Sequence, residues 1–437
     1  MGYTADDLAA LVREDRVHRS VYTDPAIFEL ELDRVFGRAW LFVGHDSQVP
    51  NPGDFVTTTL GRQPVVMARG LDGKVRVLYN RCGHRGAKVL TEERGNARQF
   101  RCSYHGWAFH PDGTLAGLPL PEDYPASFDL NDPAYAMMPM RHASYRGFVF
   151  ATQSASAPDL ETHLGQARIG FDEVCDRAPE GTIEFAGGCH RYEYGGNWKH
   201  QMENLADTYH PIACHESTVK KDGYQFQRRT GESGGQAKFF DQTGKPLVPL
   251  LGVWAFVNGH NSEASLPFHE EQTGEVFLRY RALLVAKHGE ARTREILKPK
   301  RHNLSVYPTM DIIVLQNAVR VIRPLAVDRT EVRVYPMRLK GAPAEIFADH
   351  VRFLNQTHSA SSFIQSDDVE SFHRCQEGLL AEGPEWSVVA RGVGREASDQ
   401  AGVRFGERSS EIGQRNQHAA WVQYMTGAAA SWEPARP

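Results

Sequence analysis

The stretch Asn197-Trp-Lys-His-Gln-Met-Glu203-Asn204-Leu-Ala-Asp207-Thr-Tyr209-His210-Pro211-Ile-Ala-Cys214-His215 gathers imidazoles, carboxylates and a carboxamide in a run that otherwise reads as helix. Offsets of three and four return to the same helical face, so Glu203, Asp207 and His210 are expected on one stripe. His215 stands roughly 140° away from His210 on a regular helix, so the two rings converge only if the helix is interrupted. Pro211 supplies that interruption, because it lacks an N–H and biases His210 away from helical angles. The expectation is a helix carrying Asp207, a break at His210 and a second segment presenting His215, with both neutral imidazoles turned toward one metal ion. A solvated helix face with two surface histidines is the competing reading, and this stretch alone leaves both open.

The rest of the chain bounds the choice. Its 437 residues exceed the size at which one core stops growing, so two domains are expected. Hydrophobic content of 41% and charged content of 24% describe a soluble protein with ample core. A net charge of -5, with no basic block, argues against a nucleic-acid partner. The acidic start, Met1-Gly-Tyr-Thr-Ala-Asp6-Asp7, lacks an apolar signal segment, and the longest apolar run (250–257) is too short to cross a bilayer. The expectation is a cytoplasmic protein with no membrane partner. Cysteines at 82, 102, 175, 189, 214 and 375 are sparse and irregular, which suits a reducing compartment and not a disulfide framework.

In chain order, residues 5–40 read as helical, with Pro25 opening a second helix over 26–38 and Ile27, Leu30, Leu32 and Phe36 facing inward. From Trp40 the period changes to two. Hairpins are expected around Leu71-Asp72-Gly73 and Pro111-Asp112-Gly113, so residues 40–150 read as a small antiparallel β domain. Inside it stand Cys82-Gly-His84-Arg85-Gly86 and Cys102-Ser-Tyr104-His105-Gly106-Trp107. Each half offers one thiolate and one imidazole from a turn, with Gly86 and Gly106 allowing close backbone approach. Zinc spacings pair the cysteines and then the histidines. Here the order alternates, which suits a [2Fe–2S] cluster with both thiolates on one iron and both imidazoles on the other.

Further on, 182–194 reads as strand, 216–270 as long loops, and 275–287, 302–307, 311–315, 318–325 and 331–338 as strands of an antiparallel sheet. Helices over 343–355 and 360–378 are expected to cover that sheet. The fold class is therefore α+β, with N-terminal helices (1–39) packing on a catalytic domain (151–437) and the β domain (40–150) between them in sequence.

These residues resemble the Rieske non-haem iron aromatic-ring-hydroxylating oxygenases, α (large) subunits of the benzoate/salicylate-like branch. The family pattern Glu-Asn-x-x-Asp-x-Tyr-His-x-x-x-x-His is matched by Glu203, Asn204, Asp207, Tyr209, His210 and His215. The resemblance covers essentially the whole chain and implies a Rieske cluster on Cys82, His84, Cys102 and His105, and a catalytic domain of helix-grip (START-like) form. It implies a mononuclear Fe(II) held by His210, His215 and the second aspartate of Ser366-Asp367-Asp368, with Asp367 the runner-up. Without the family pattern, both aspartates also read as a helix N-terminal pair favoured by the macrodipole. Asp207 is implied to bridge a Rieske histidine of one subunit to an iron histidine of its neighbour within a head-to-tail trimer. The alternative is that it only fixes the tautomer of His210. Asn204 and Tyr209 are implied to support the iron and Glu203 to help the same network; Cys214, whose side chain points away on any helix that presents His215, is expected to be core.

By this resemblance the chain is expected to be the terminal oxygenase of a multicomponent system. It would use O₂ and electrons from NADH, delivered through a separate reductase with or without a ferredoxin, to mono- or dihydroxylate a small aromatic substrate, chiefly an aromatic carboxylic acid. No dinucleotide fingerprint is present in this chain. Assembly as α3 or, with a small β subunit, α3β3 stays open. Two other classes compete: a Rieske-type electron carrier without an active mononuclear site, and a zinc-stabilised binding module. Arg323, Gln316 and Asn317 are candidate partners for an anionic substrate, though alternation alone does not say which point inward.

Overall fold

The computed structural model describes residues 2–219, 252–264, 274–298, 301–314 and 316–427. The chain divides into two compact units, Phe36–Leu160 and a second built from 1–35 and 161–437.

The smaller unit is antiparallel β. Asp54–Leu60, Gln63–Arg69 and Val75–Tyr79 form a meander with Arg94–Asn96 on its far edge. Beside it, Phe100–Arg101, Ala108–Phe109 and Leu115–Gly117 form a second small sheet. The expected turns fall where the strands need them: Gly73 and Gly113 both take positive φ, which side chains other than glycine rarely tolerate. One buried cluster that includes Phe55, Val66, Leu78, Phe100, Trp107 and Phe109 also encloses Cys82 and Cys102.

In the larger unit, ten strands among the described residues form one antiparallel sheet. Arg329–Leu339 pairs with both Ile183–Phe185 and His190–Tyr194 on one side and with Ala318–Ala326 on the other. The order then runs through Met310–Ile313, Arg301–Val306, Asn261–Ala264 and Gly252–Ala255 to Arg404–Glu407 and Ala397–Ser398. The helices Ala344–Thr357 and Gln365–Gly378 cover one face, Leu354 and Phe372 packing on Tyr192, Tyr194, Ala318, Val332 and Val334. The closing helix Ile412–Thr426 covers the far end, with Ile412 against Val253 and Ala255.

Several expectations need correction. Residues 275–287 are not strand but the first part of a helix, Glu275–Ile296. Its buried residues Phe277, Tyr280 and Leu284 are spaced by three and four, the helical period, whereas alternation of small apolar residues suggests a period of two. The N-terminal helical reading is broken by a hairpin, Val12–Arg13 with Arg16–His18, which pairs with Trp386–Val388. The helix opened by Pro25 ends at Arg34, four residues short of the expected end; its inward face carries Ile27, Phe28 and Glu31, while Leu30 and Leu32 are only half-buried. Most of the loops expected over 216–270 lie outside the described residues, as does Leu315. The described parts of that span form the helix Glu216–Val219 and two sheet strands.

Glu31 is wholly buried and holds together three elements. Its carboxylate accepts from Lys199 Nζ at 2.5 Å, Trp198 Nε1 at 2.8 Å and Trp421 Nε1 at 2.6 Å. It thereby ties the N-terminal helix to the start of the histidine-bearing segment and to the closing helix.

Candidate functional site

Asn197 begins the site helix: its side chain accepts from Lys199 N, and the helix runs Trp198–Asn204. The break expected at Pro211 falls earlier. The chain leaves helix at Leu205, and Pro211 is the first residue of a new short helix, Pro211–Cys214, with His210 in helical conformation (φ -53°, ψ -34°). A proline at the first helical position loses no hydrogen bond, so it starts a turn more readily than it ends one. The expected stripe is therefore not formed. Glu203 turns away, accepting from Tyr22 Oη at 2.7 Å and from His418 Nε2 at 2.9 Å. Asp207 caps the new turn, its Oδ1 accepting from Tyr209 N at 2.9 Å and His210 N at 3.1 Å.

This local geometry orients both rings. His210 Nδ1 lies 3.0 Å from the Asp207 carbonyl, which can only accept, so Nδ1 donates and Nε2 keeps its lone pair. His215 Nδ1 lies 3.3 Å from Asp367 Oδ2, so its Nε2 is likewise directed inward, 3.2 Å from Asp368 Oδ1. His210 Nε2 is 3.6 Å from the same oxygen. One atom from each of His210, His215 and Asp368 lies within 4.8 Å of the other two. Adjacent ligands on an octahedral metal with bonds of about 2.1 Å are about 3 Å apart, so a small divalent cation would hold this trio by drawing its atoms closer together. Of the two neighbouring aspartates, Asp368 offers its oxygen to the shared centre and Asp367 braces the far side of the His215 ring.

The electrostatics agree. Although burial opposes it, hydrogen bonding and charge from His215, with charge from His210 and Arg320, hold Asp368 below the usual carboxylate range. Burial likewise disfavours charge on His215, but Asp368 and the Cys214 thiol outweigh it and push the ring up to about 10. Binding of a cation replaces that proton.

Around the trio, Asn204 Nδ2 donates to Asp368 Oδ1 at 3.0 Å and lies 3.1 Å from His210 Nε2. Tyr209 lies under the Arg391 guanidinium, 4.1 Å from its ring centroid. Cys214 is not simple core: it is half-buried, 3.3 Å from Ser371 Oγ. Sequence reasoning passes over Tyr22 and His418 because each is distant in the chain and carries no motif. Of the candidate anion partners, Arg323 is bound to Glu331 on the sheet face opposite Arg320, and Asn317 is engaged by Arg177 and His350. Gln316 is buried, its Oε1 without a partner among the described residues.

In the smaller unit the two Cys/His turns are built alike. Gly86 N donates to the Cys82 carbonyl and Cys82 N to Ala87; Gly106 N donates to the Cys102 carbonyl and Cys102 N to Trp107. Both glycines take positive φ, +76° and +72°. The turns bring the His84 and His105 rings to 4.6 Å, with Trp107 stacked on His84 at 5.1 Å. The cysteines are buried and His84 is exposed. Burial, with the Cys102 thiol alongside, pushes the Cys82 thiol up, so its charged form needs a positive partner. Two adjacent thiols inside and two adjacent imidazoles outside fit a [2Fe–2S] group ligated by two residues of each kind.

Two family models match the chain over the segments that hold these residues. Residues 39–129 match the Rieske [2Fe-2S] domain, and residues 186–427 match the ring hydroxylating alpha subunit (catalytic domain). The chain is 32% identical to the 2-halobenzoate 1,2-dioxygenase large subunit of Burkholderia cepacia, over 94% of this chain and 89% of that one. It is 33% identical to toluate 1,2-dioxygenase subunit alpha of Pseudomonas putida, over 97% and 95%. The fold matches naphthalene 1,2-dioxygenase from Rhodococcus sp. with a TM-score of 0.79 at 24% identity, covering 95% of each chain. With matches that span nearly its whole length, the chain belongs to the Rieske non-haem iron ring-hydroxylating oxygenases, as an α (large) subunit.

Proposed function

We propose that this chain is the terminal oxygenase of a multicomponent system that hydroxylates an aromatic carboxylic acid, with His210, His215 and Asp368 holding Fe(II) and Cys82, His84, Cys102 and His105 holding the cluster. The observation that carries the reading is the trio itself: two rings whose Nδ1 atoms are bound elsewhere aim both Nε2 atoms at one carboxylate oxygen. A facial set of two imidazoles and a carboxylate leaves other coordination positions for O₂ and substrate. When bound, the mononuclear iron supplies oxygen activation and the cluster supplies electrons one at a time.

The protein's own part is positioning. Asp207 fixes the turn and the tautomer of His210, and its carboxylate remains 22% exposed. We assign it a bridge to His105 of a neighbouring copy in a head-to-tail trimer, with or without a β subunit. Asp207→Asn is expected to leave both centres loaded yet reduce turnover by at least about a hundredfold, and unchanged turnover would remove the bridge. Asn204 steadies two of the three ligands, so Asn204→Ala is expected to lower iron affinity or turnover by about 10- to 100-fold, read by metal titration. Gly106→Ala places a side chain at φ +72°, a conformation costing roughly 1–2 kcal/mol, and is expected to lower cluster absorbance per chain while sparing the mononuclear iron.

The reductase, and any ferredoxin, are separate chains. Among the described residues no helix is long and apolar enough to cross a membrane, and the sparse, irregularly spaced cysteines support a cytoplasmic setting. The test is product analysis after incubation with ¹⁸O₂, NADH, a generic reductase and a panel of aromatic acids. Label in a hydroxylated ring is the expected outcome.

A further inference from the structure

Between the covering helices and the closing helix, the middle of the large sheet carries a buried polar row. Asn261, Ser305, Asp311, Arg320 and Val334 are direct cross-strand partners, so their side chains share one face. It is the face that the helices cover. Ala318 and Val334 pack on Leu354 and Phe372, and Asn261 meets Gly413 O and Asn416 at the closing helix. Arg320 Nη2 donates to Gln365 Oε1 at 3.0 Å, one helical turn before Asp368, and the Arg320 charge helps hold Asp368 ionised. The row therefore looks toward the proposed iron site.

Several of its polar atoms find no protein partner among the described residues. Asp311 is fully buried, and neither of its carboxylate oxygens has a hydrogen-bond partner among the described residues. Ser305 Oγ, Asn303 Oδ1, Arg320 Nε and Gln365 Nε2 are likewise buried without partners among the described residues. Asn303 uses its amide to donate to Glu263 Oε2 at 2.9 Å. Folded proteins leave few buried polar groups unpaired, and a bare carboxylate is among the most costly. So many on one patch of one sheet mark a place where water or a ligand supplies the missing partners. In its ionised form Asp311 is a pair of acceptors with no donor of its own, and that form sets what the ligand must offer. Burial pushes its carboxyl up to about 7, with Arg320 opposing.

Resting on the aromatic-acid oxygenase reading, we propose that Asp311 is a specificity-determining residue that accepts a hydrogen bond from an amino or hydroxyl substituent on the substrate ring, with Ser305 beside it. The substrate class is thereby narrowed to aromatic acids that also carry such a donor. A site built to bond an N–H or O–H leaves its acceptor unpaired when the substituent is missing, and so rejects the plain ring.

The test compares kcat/KM and O₂ uptake per product for benzoate, 2-aminobenzoate and 2-hydroxybenzoate, using the intact iron-loaded oxygenase with its reductase. The wild type needs no substitution for the first readout: it is expected to favour a donor-bearing acid by about ten- to a hundredfold. Asp311→Ala, with Asp311→Val as a second variant should the first fold poorly, removes the acceptor and is expected to shrink that ratio to within about threefold of unity. A wild type that uses benzoate as well as either donor-bearing acid overturns the proposal, as does an Asp311→Ala variant that keeps the ratio. If loaded enzyme turns over no aromatic acid, the underlying oxygenase reading falls and this inference with it, an outcome distinct from turnover without preference.

Discussion

Asp368→Ala is expected to abolish turnover while the Rieske absorbance stays intact. Asp368 Oδ1 is the atom that faces both imidazole Nε2 atoms, at 3.2 and 3.6 Å, and it is the shared acceptor for Asn204. Loss of groups that merely brace a metal ligand commonly costs 10- to 100-fold in affinity, so removing the ligand itself is expected to exceed about a hundredfold. The two imidazoles would then face each other without the carboxylate between them. Asp367→Ala is the informative contrast, since Asp367 touches only the outer nitrogen of His215 and is 34% exposed. It is expected to fall within the 10- to 100-fold range. Equal losses in the two variants would mean that the trio has been assigned to the wrong oxygen. Metal titration and single-turnover assays read both.

The second large effect is on stability. Glu31→Ala leaves Lys199, almost fully buried, without its counter-charge and strips the indole donors of Trp198 and Trp421 of their acceptor. Breaking one side of a buried pair typically costs about 3–5 kcal/mol, because the remaining charge stays desolvated. The apparent urea midpoint of the larger unit is expected to fall accordingly. Glu31→Leu combined with Lys199→Met is expected to recover much of the loss, since an apolar pair of similar volume needs no compensation. A double variant as unstable as Glu31→Ala would show that the indole bonds, and not the ion pair, dominate. Because Lys199 opens the helix that carries Asn204, a poorly folded Glu31→Ala chain is also expected to load less mononuclear iron.

Whether a feature is legible in the chain depends on how far apart its residues lie. The cluster residues are legible because Cys82, His84, Cys102 and His105 lie close in sequence, and their glycines announce the positive φ that the turns use. The histidine pair is legible as well, though the backbone reaches it differently: the helix stops at Asn204 and Pro211 starts a turn instead of ending one. Asp368 is reached only through the resemblance, since an Asp-Asp pair near a helix start also reads as a macrodipole feature. The helix Glu275–Ile296 reads wrongly as strand because its apolar residues satisfy both periods over a short window, and burial alone separates them. The row of Ser305, Asp311 and Arg320 is invisible in the sequence. It exists only in the register between three strands, and a slip of one residue would put Asp311 on the opposite face. The Glu203 bonds to Tyr22 and His418 are equally a product of tertiary packing.

Two separate iron stations in one chain, one bridged by sulfide and the other open, underlie every functional step above. Iron and acid-labile sulfide counted together on the purified holoprotein test that directly: a two-iron cluster plus the His210, His215 and Asp368 site predicts three irons and two sulfides per chain. Two irons with two sulfides, unchanged after incubation with Fe(II), would contradict it and leave only an electron carrier.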